Sequence, residues 1–175
     1  MRIVAETDPS LFHVEHEAFP CAIGRSGACS VADKREGDGF TPLGRWPIRA
    51  ALLRPGGRFS PPAFLPWRWL RPDDGWSDSG RDPAYNRPVR HPHVFSAERM
   101  WRDDGRYDAV LMLGYNDDPP VPDRGSAIFL HLRGVLPTEG CIAIDYEVME
   151  ALLPRLTSAS VLEICRHIGD PTPLG

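Results

Sequence analysis

The chain has 175 residues, 42% hydrophobic and 25% charged, which suits one domain spanning residues 1–175 with a real core and leaves nothing that reads as disordered. A formal charge of -4, with acids interspersed among arginines, excludes the basic footprint of a nucleic-acid binder or an anionic-membrane anchor. The expected partner is therefore a small molecule or a peptide.

At the N-terminus, Met1 to Ala5 is followed at once by Glu6, Asp8 and Pro9, so the apolar core of about seven or more residues that a secretory signal needs is missing. No later run is long enough to cross a membrane. The expectation is a cytoplasmic protein, or a periplasmic one if the chain is a trimmed mature form. Cys21, Cys29, Cys141 and Cys165 are then expected as free thiols rather than as two disulfides.

Leu11 to His16 and Ala18 to Arg25 alternate or cluster as two strands, and Trp46 to Leu53 reads as a third. Lys34, the only lysine, reads as a solvated residue before a glycine-rich turn. Pro72 to Pro92 is nearly free of aliphatic residues but holds Asp73, Asp74, Trp76, Asp82, Tyr85, Asn86, Arg87 and His91. It is expected as a long ordered loop lining a site. Ser96 is expected to cap a short helix through Trp101. Tyr107 to Tyr115 and Ser126 to Leu132 read as central strands. Asp145 is expected to cap a second helix, with Val148, Met149, Leu152 and Leu153 at helical spacing before Pro154, and Ser160 to Cys165 to close the fold before Pro171-Thr172-Pro173. The 19 prolines argue against long helices, so the fold is expected to be mainly β with two short helices, α+β.

The most informative feature is His131 with Cys141. Ala127 to Leu130 reads as a buried strand that delivers His131 to its end, and Gly134, Pro137 and Gly140 mark a loop returning the chain to Cys141. A thiol with an ordinary pKa of about 8.5 is only slightly ionised at neutral pH, so an imidazole that accepts its proton raises the reactive fraction. Gly140, without a side chain, lets a carbonyl approach backbone N–H groups that can hold an oxyanion. The bland alternative is a buried structural cysteine and an unrelated histidine.

Two motifs favour the first reading. Thr138-Glu139-Gly140-Cys141 after His131 resembles the Ser/Thr-His-Gly-Cys pattern of the L,D-transpeptidase (YkuD-type) family. Lys34 through Pro47 resembles that family's Lys, Gly-Asp-Gly and Thr-Pro-x-Gly signature. Tyr85-Asn86-Arg87, Ser96 to Trp101 and Gly114-Tyr115-Asn116-Asp117 are similar to segments of its short, single-domain branch without a signal peptide. The resemblance implies a mixed β-sandwich or open barrel with Cys141 and His131 at neighbouring strand ends. It also implies a cysteine acyl-enzyme acting on murein stem tetrapeptides or muropeptides, with no cofactor. Cys141 would attack, His131 would move the proton and Gly140 would shape the oxyanion site. Tyr85, Asn86, Asn116 and Thr138 are the implied substrate contacts. Transfer to an amine makes an L,D-transpeptidase; transfer to water, favoured for a cytoplasmic protein, makes an L,D-carboxypeptidase.

Two positions depart from the family pattern. Glu139 stands where His is usual, and a carboxylate beside a thiolate opposes ionisation unless it pairs with a cation; it reads as an exposed turn residue. Ala143 stands where Arg is usual, so another cation must hold a substrate carboxylate, with Arg87 the first candidate and Arg133 the second. Two other classes compete. His91 and His93, with Asp82 or His131, form a candidate zinc set for a peptidase or amidase, although Pro92 lies between them and no His-Glu-x-x-His is present. A non-catalytic module that binds peptidoglycan peptides is the other.

Overall fold

The computed structural model describes residues 1–171, so Thr172 and Pro173 of the expected proline-rich tail lie outside the described residues. The chain runs β1 (Ile3–Thr7), β2 (Ser10–Val14), β3 (Glu17–Ala22), β4 (Ala28–Cys29), β5 (Thr41–Pro42), β6 (Gly44–Leu53), β7 (Trp67–Trp69) and β8 (Asp74–Ser77). It continues with β9 (Pro88–Arg90), β10 (Ala97–Arg99), β11 (Ala109–Leu113), β12 (Phe129–Leu132), β13 (Ile142–Ile144), α1 (Tyr146–Leu152), a 3-10 turn (Leu153–Arg155) and β14 (Val161–Cys165).

The main sheet closes on itself. Its order is β11-β12-β13-β3-β2-β1-β14-β6, and β6 also pairs with β11, so the ring of hydrogen bonds is complete and β7 hangs from β6 as a spur. Strand β6 makes this possible by its length: Gly44 to Pro47 pairs with β14, and Ile48 to Leu53 pairs with β11. Closure removes the free edges that an open sheet would present. Two of the junctions are parallel, β12 with β13 and β1 with β14, so the barrel is mixed. Its interior is one apolar cluster that includes Ile3, Phe12, Ile48, Leu111, Leu130, Leu132, Ile142, Ile144 and Leu162. Each such side chain removed from water contributes roughly 1.5–3 kcal/mol.

Helix α1 sends Val148, Met149 and Leu152 into the same cluster. Asp145 stands at its N-cap in extended conformation but makes no side-chain capping bond, because its carboxylate is paired with Arg133 at 2.8 Å. Glu147 in the first turn complements the positive end of the helix instead.

A second, three-stranded sheet, β9-β8-β10, lies over the outer face of β12. It corrects two expectations. Ser96 to Trp101 is not a helix: Ala97–Arg99 form β10, paired with Ser77 to Gly75 of β8. Six residues cannot sustain an isolated helix, while β8 offers backbone pairing along Ala97–Arg99. Pro72 to Pro92 likewise is not one loop, since it contains β8 and β9. Strands β1, β4, β5, β7 and β13 also add to the six expected strands, and among the described residues there is one α-helix rather than two. All four cysteines are unpaired and buried. Among the described residues, no helix is long and apolar enough to cross a membrane.

Candidate active site

Strand β12 is buried on both faces, and its alternation separates two chemistries. Leu130 and Leu132 point into the barrel, while Phe129 joins Cys141, Val110, Tyr107, Met100 and Leu52 in a second cluster outside it. Trp76 of β8 meets Phe129 edge-on, with ring centroids 5.1 Å apart. His131 shares the face of Phe129 because side chains alternate with period two.

The parallel register of β12 and β13 sets Leu130 opposite Ile142 and His131 opposite Ala143. Cys141, just before β13, falls opposite Phe129, whose N–H donates to its Sγ at 3.4 Å. Cys141 and His131 therefore project from one face of adjacent strands, two residues, or about 7 Å, out of step along the strand direction. Both line one cleft of about 530 Å³, together with Ala143, Tyr107, Ser126 and Thr138.

Burial keeps both groups neutral. The Cys141 thiol is pushed up to about 12, first by loss of water and then by the Glu98 carboxylate. At rest the thiol donates to the Ala127 carbonyl at 3.1 Å. His131 is drawn down to about 4, mainly by burial and further by Arg106 and Arg102. Its Nδ1 lies 2.8 Å from the Leu132 carbonyl, which can only accept, so the proton sits on Nδ1 and Nε2 is the basic nitrogen. Tyr107 packs edge-on against the imidazole at 5.0 Å and donates its hydroxyl to Glu98 at 2.5 Å.

The turn before the sulfur is tightly specified. Gly140 has φ +137, and a Cβ there would meet the Phe40 carbonyl at 2.9 Å. Thr138 Oγ1 donates to the Cys141 carbonyl at 2.6 Å and accepts a longer bond from the Gly140 N–H at 3.2 Å. Glu139 is an exposed rim residue whose carboxylate takes Arg25 Nε at 2.7 Å, so its charge is paired with a cation.

Of the expected substrate contacts, Thr138 lines the cleft and the others do not. Asn86 is a structural hub: its Nδ2 donates to the Tyr115 and Asn116 carbonyls, and its Oδ1 accepts from Trp76 Nε1 and the Ala127 N–H. That last bond holds Ala127 at φ +52, the conformation that aims its carbonyl at the thiol. Asn116 ties its own loop to Val121 and Gly125. Tyr85 is buried and donates to Glu36. Arg87 is spent on the Asp117 carbonyl, and Arg133 on Asp145. The cations that do line the cleft are Arg102 and Arg106, both held by Asp104 at 2.6 and 2.8 Å, and Lys34.

Lys34 is not solvated but 2% exposed. Its Nζ donates to Asp38 Oδ1 at 2.7 Å and to the Arg35 carbonyl at 2.6 Å, while Asp38 also accepts from the Arg35 and Phe40 N–H groups. The Lys and Gly-Asp-Gly motif is thus a closed knot beneath the cleft. Gly125 covers it, where a Cβ would stand 3.2 Å from Nζ.

The zinc alternative finds no ligand set. His93 Nε2 and the Ser77 hydroxyl both bond Asp82, each at 2.6 Å. Among the described residues no three His, Cys, Asp or Glu side chains gather as a metal site. Compared with known proteins, the chain matches the family profile described as YkuD, L,D-transpeptidase catalytic domain, over residues 10–172. No curated protein and no solved structure matches it.

Proposed function

Because the chain belongs to the L,D-transpeptidase catalytic domain family, matched over residues 10–172, we propose that it is a cysteine acyl-enzyme that cleaves murein stem tetrapeptides at the bond before the terminal D-alanine. The observation that carries this reading is the shared outer face of β12 and β13, which opens Cys141 and His131 into one cleft. Cys141 Sγ attacks the carbonyl at the L-centre of the third residue, and His131 Nε2 takes the thiol proton as the carbon–sulfur bond forms. A neutral imidazole held at Nδ1 by Leu132 is suited to that transfer, since it needs no prior loss of charge. The oxyanion is held at the Gly140–Cys141 turn, where the missing side chain of Gly140 admits the substrate backbone. Collapse expels the D-alanine amine, which takes the proton back from the imidazolium, and leaves a thioester on Cys141.

Ala143 lines the cleft opposite His131, where the family arginine would project. Arg102 and Arg106 line the same cleft and take over its task, holding a substrate carboxylate in place of Arg87 and Arg133. The thioester then passes to an amine of a second stem or to water. Incubation with a disaccharide tetrapeptide and mass analysis of the products tests this: tripeptide identifies a carboxypeptidase, a cross-linked dimer a transpeptidase, and unchanged substrate refutes both.

A further inference from the structure

The spur strand β7 presents a surface that neither the barrel nor the proposed chemistry uses. Trp67 and Trp69 lie in register with Ala51 and Leu53 of β6, whose side chains fill the barrel. The ring closes through β6 and β11, so β7 stands outside it, and the face that carries both tryptophans is left half-open to water. Phe64 is 73% exposed, Trp67 38% and Trp69 43%, and Pro61, Ala63 and Pro66 beside them are exposed as well. Apolar groups gathered in one exposed segment mark an interaction surface, whereas scattered ones do not.

This ridge is held in place and it is basic. The two indoles pack edge-on with centroids 5.0 Å apart, and the Phe64 carbonyl accepts from the Ser158 N–H at 3.0 Å. On the other face of β7, Arg68 makes two bonds to the buried Asp74 carboxylate at 2.6 and 3.1 Å. From Arg54 to Arg71 the chain carries four arginines and no acid, a local charge that the whole-chain value of -4 conceals. Arg54 and Arg68 are paired with aspartates. Arg58, stacked over the Tyr146 ring at 4.3 Å, and Arg71 are exposed, and among the described residues neither enters an ion pair. Asp73, next but one to Arg71, is taken by Arg90.

These features select the partner. A two-fold contact between copies through this face would set one cationic surface against another, and Arg68 Nη1 already takes the Trp69 carbonyl, at 2.9 Å, on the edge of β7 that an added strand would need. Two free cations are too few for the many phosphate contacts of a nucleic acid. An anionic bilayer surface suits both halves of the ridge: aromatic side chains seat at the boundary of headgroups and acyl chains, and arginines reach the headgroup phosphates. We propose that the ridge from Arg58 to Arg71 docks the protein on a bilayer surface bearing anionic headgroups, with Phe64, Trp67 and Trp69 seated in the interface. None of these residues lines the Cys141 cleft, so docking is independent of the acyl-enzyme and is measured apart from it.

Co-sedimentation of the full chain with phospholipid vesicles tests this without any turnover. The vesicles are phosphatidylcholine alone, and phosphatidylcholine with about one third phosphatidylglycerol, each at low salt and at about 0.5 M salt. The wild type is expected to sediment with the anionic vesicles and not with the neutral ones, and to be released by salt. Arg58→Gln and Arg71→Gln should each weaken binding about fivefold, the worth of one arginine close to an anionic surface. Trp67→Ser combined with Trp69→Ser should weaken it at least about tenfold. Arg71 makes no ion pair, so Arg71→Gln reads docking even where the tryptophan changes lower stability. No sedimentation with anionic vesicles, equal sedimentation with neutral ones, or binding unchanged by the substitutions overturns the proposal. A dimer abolished by the tryptophan changes, with no vesicle binding, would give the ridge to a second copy instead.

Discussion

Alkylation of Cys141 by iodoacetamide should be slow at neutral pH and accelerate steadily as pH rises. A thiol held near 12 is ionised to about one part in 100,000 at pH 7, against about one part in 100 for a thiol at 9.0. The more basic thiolate is also the better nucleophile, which with a Brønsted coefficient of about 0.4–0.5 restores roughly twentyfold. The remaining deficit is about fiftyfold before any steric shielding in the cleft. Peptide mapping by mass spectrometry is the assay, because Cys21, Cys29 and Cys165 are also present. The expected profile rises about tenfold per pH unit from about pH 7 to pH 10 without levelling. A plateau that begins below about pH 8 would refute the reasoning, because it would show a thiolate already paired with an imidazolium at rest.

Three further outcomes follow from single side chains. His131 titrates near 4 in the fold and near 6.5 when unfolded, so the unfolded chain takes the proton first; stability is full above about pH 6.5 and falls by roughly 3 kcal/mol as pH drops to 4. Urea denaturation at stepped pH should show this slope in the wild type and lose it in His131→Asn; an equal slope in both contradicts the assignment. Asn86→Ala leaves four partners unsatisfied at a left-handed residue, and should cost about 3–5 kcal/mol by the same method, with a loss under about 1 kcal/mol counting against its role as the hub. Gly140→Ala must adopt φ +137 with its Cβ 2.9 Å from the Phe40 carbonyl, so D-alanine release should fall at least about tenfold alongside a stability loss of about 2 kcal/mol; full activity would show that this turn does not shape the site.

The parts legible in the sequence were those with local causes. Strands β2, β3, β6, β11, β12 and β14 carry alternating or clustered apolar residues, and α1 carries its helical stripe before Pro154. Strand β13 has three residues buried on both faces, so it shows no alternation, and β1 is a short apolar run that ends at Glu6 and Thr7. Strand β10 reads as a helix because a serine before a short mixed segment looks like a cap, and only β8, some twenty residues away, reveals the pairing. That His131 and Cys141 lie on adjacent strands is legible because one loop joins parallel neighbours.

The rest of the cleft assembles from distant segments. Asp78, Glu98 and Ser126 come to line one cleft through the packing of the small sheet on β12, for which no spacing in the chain gives a signal. Arg133, the second candidate cation, does not turn into the cleft: the chain leaves β12 at Leu132 and the guanidinium turns to Asp145. The cluster Arg102-Asp103-Asp104-Gly105-Arg106 does offer a clue, since two arginines flanking a pair of aspartates before a central strand are poised to be clamped together. The burial of Lys34 has no local signal, because residues 34–38 lie in loop and turn, where a spacing of four does not by itself bring side chains together.

The most direct test of the acyl-enzyme is the intact mass of the protein, quenched in acid soon after mixing with tetrapeptide. The expected spectrum gains the mass of the tripeptide acyl group, mapped to Cys141 and absent from Cys141→Ala. D-alanine release by Cys141→Ala at the wild-type rate, or an adduct on any other cysteine, would contradict it.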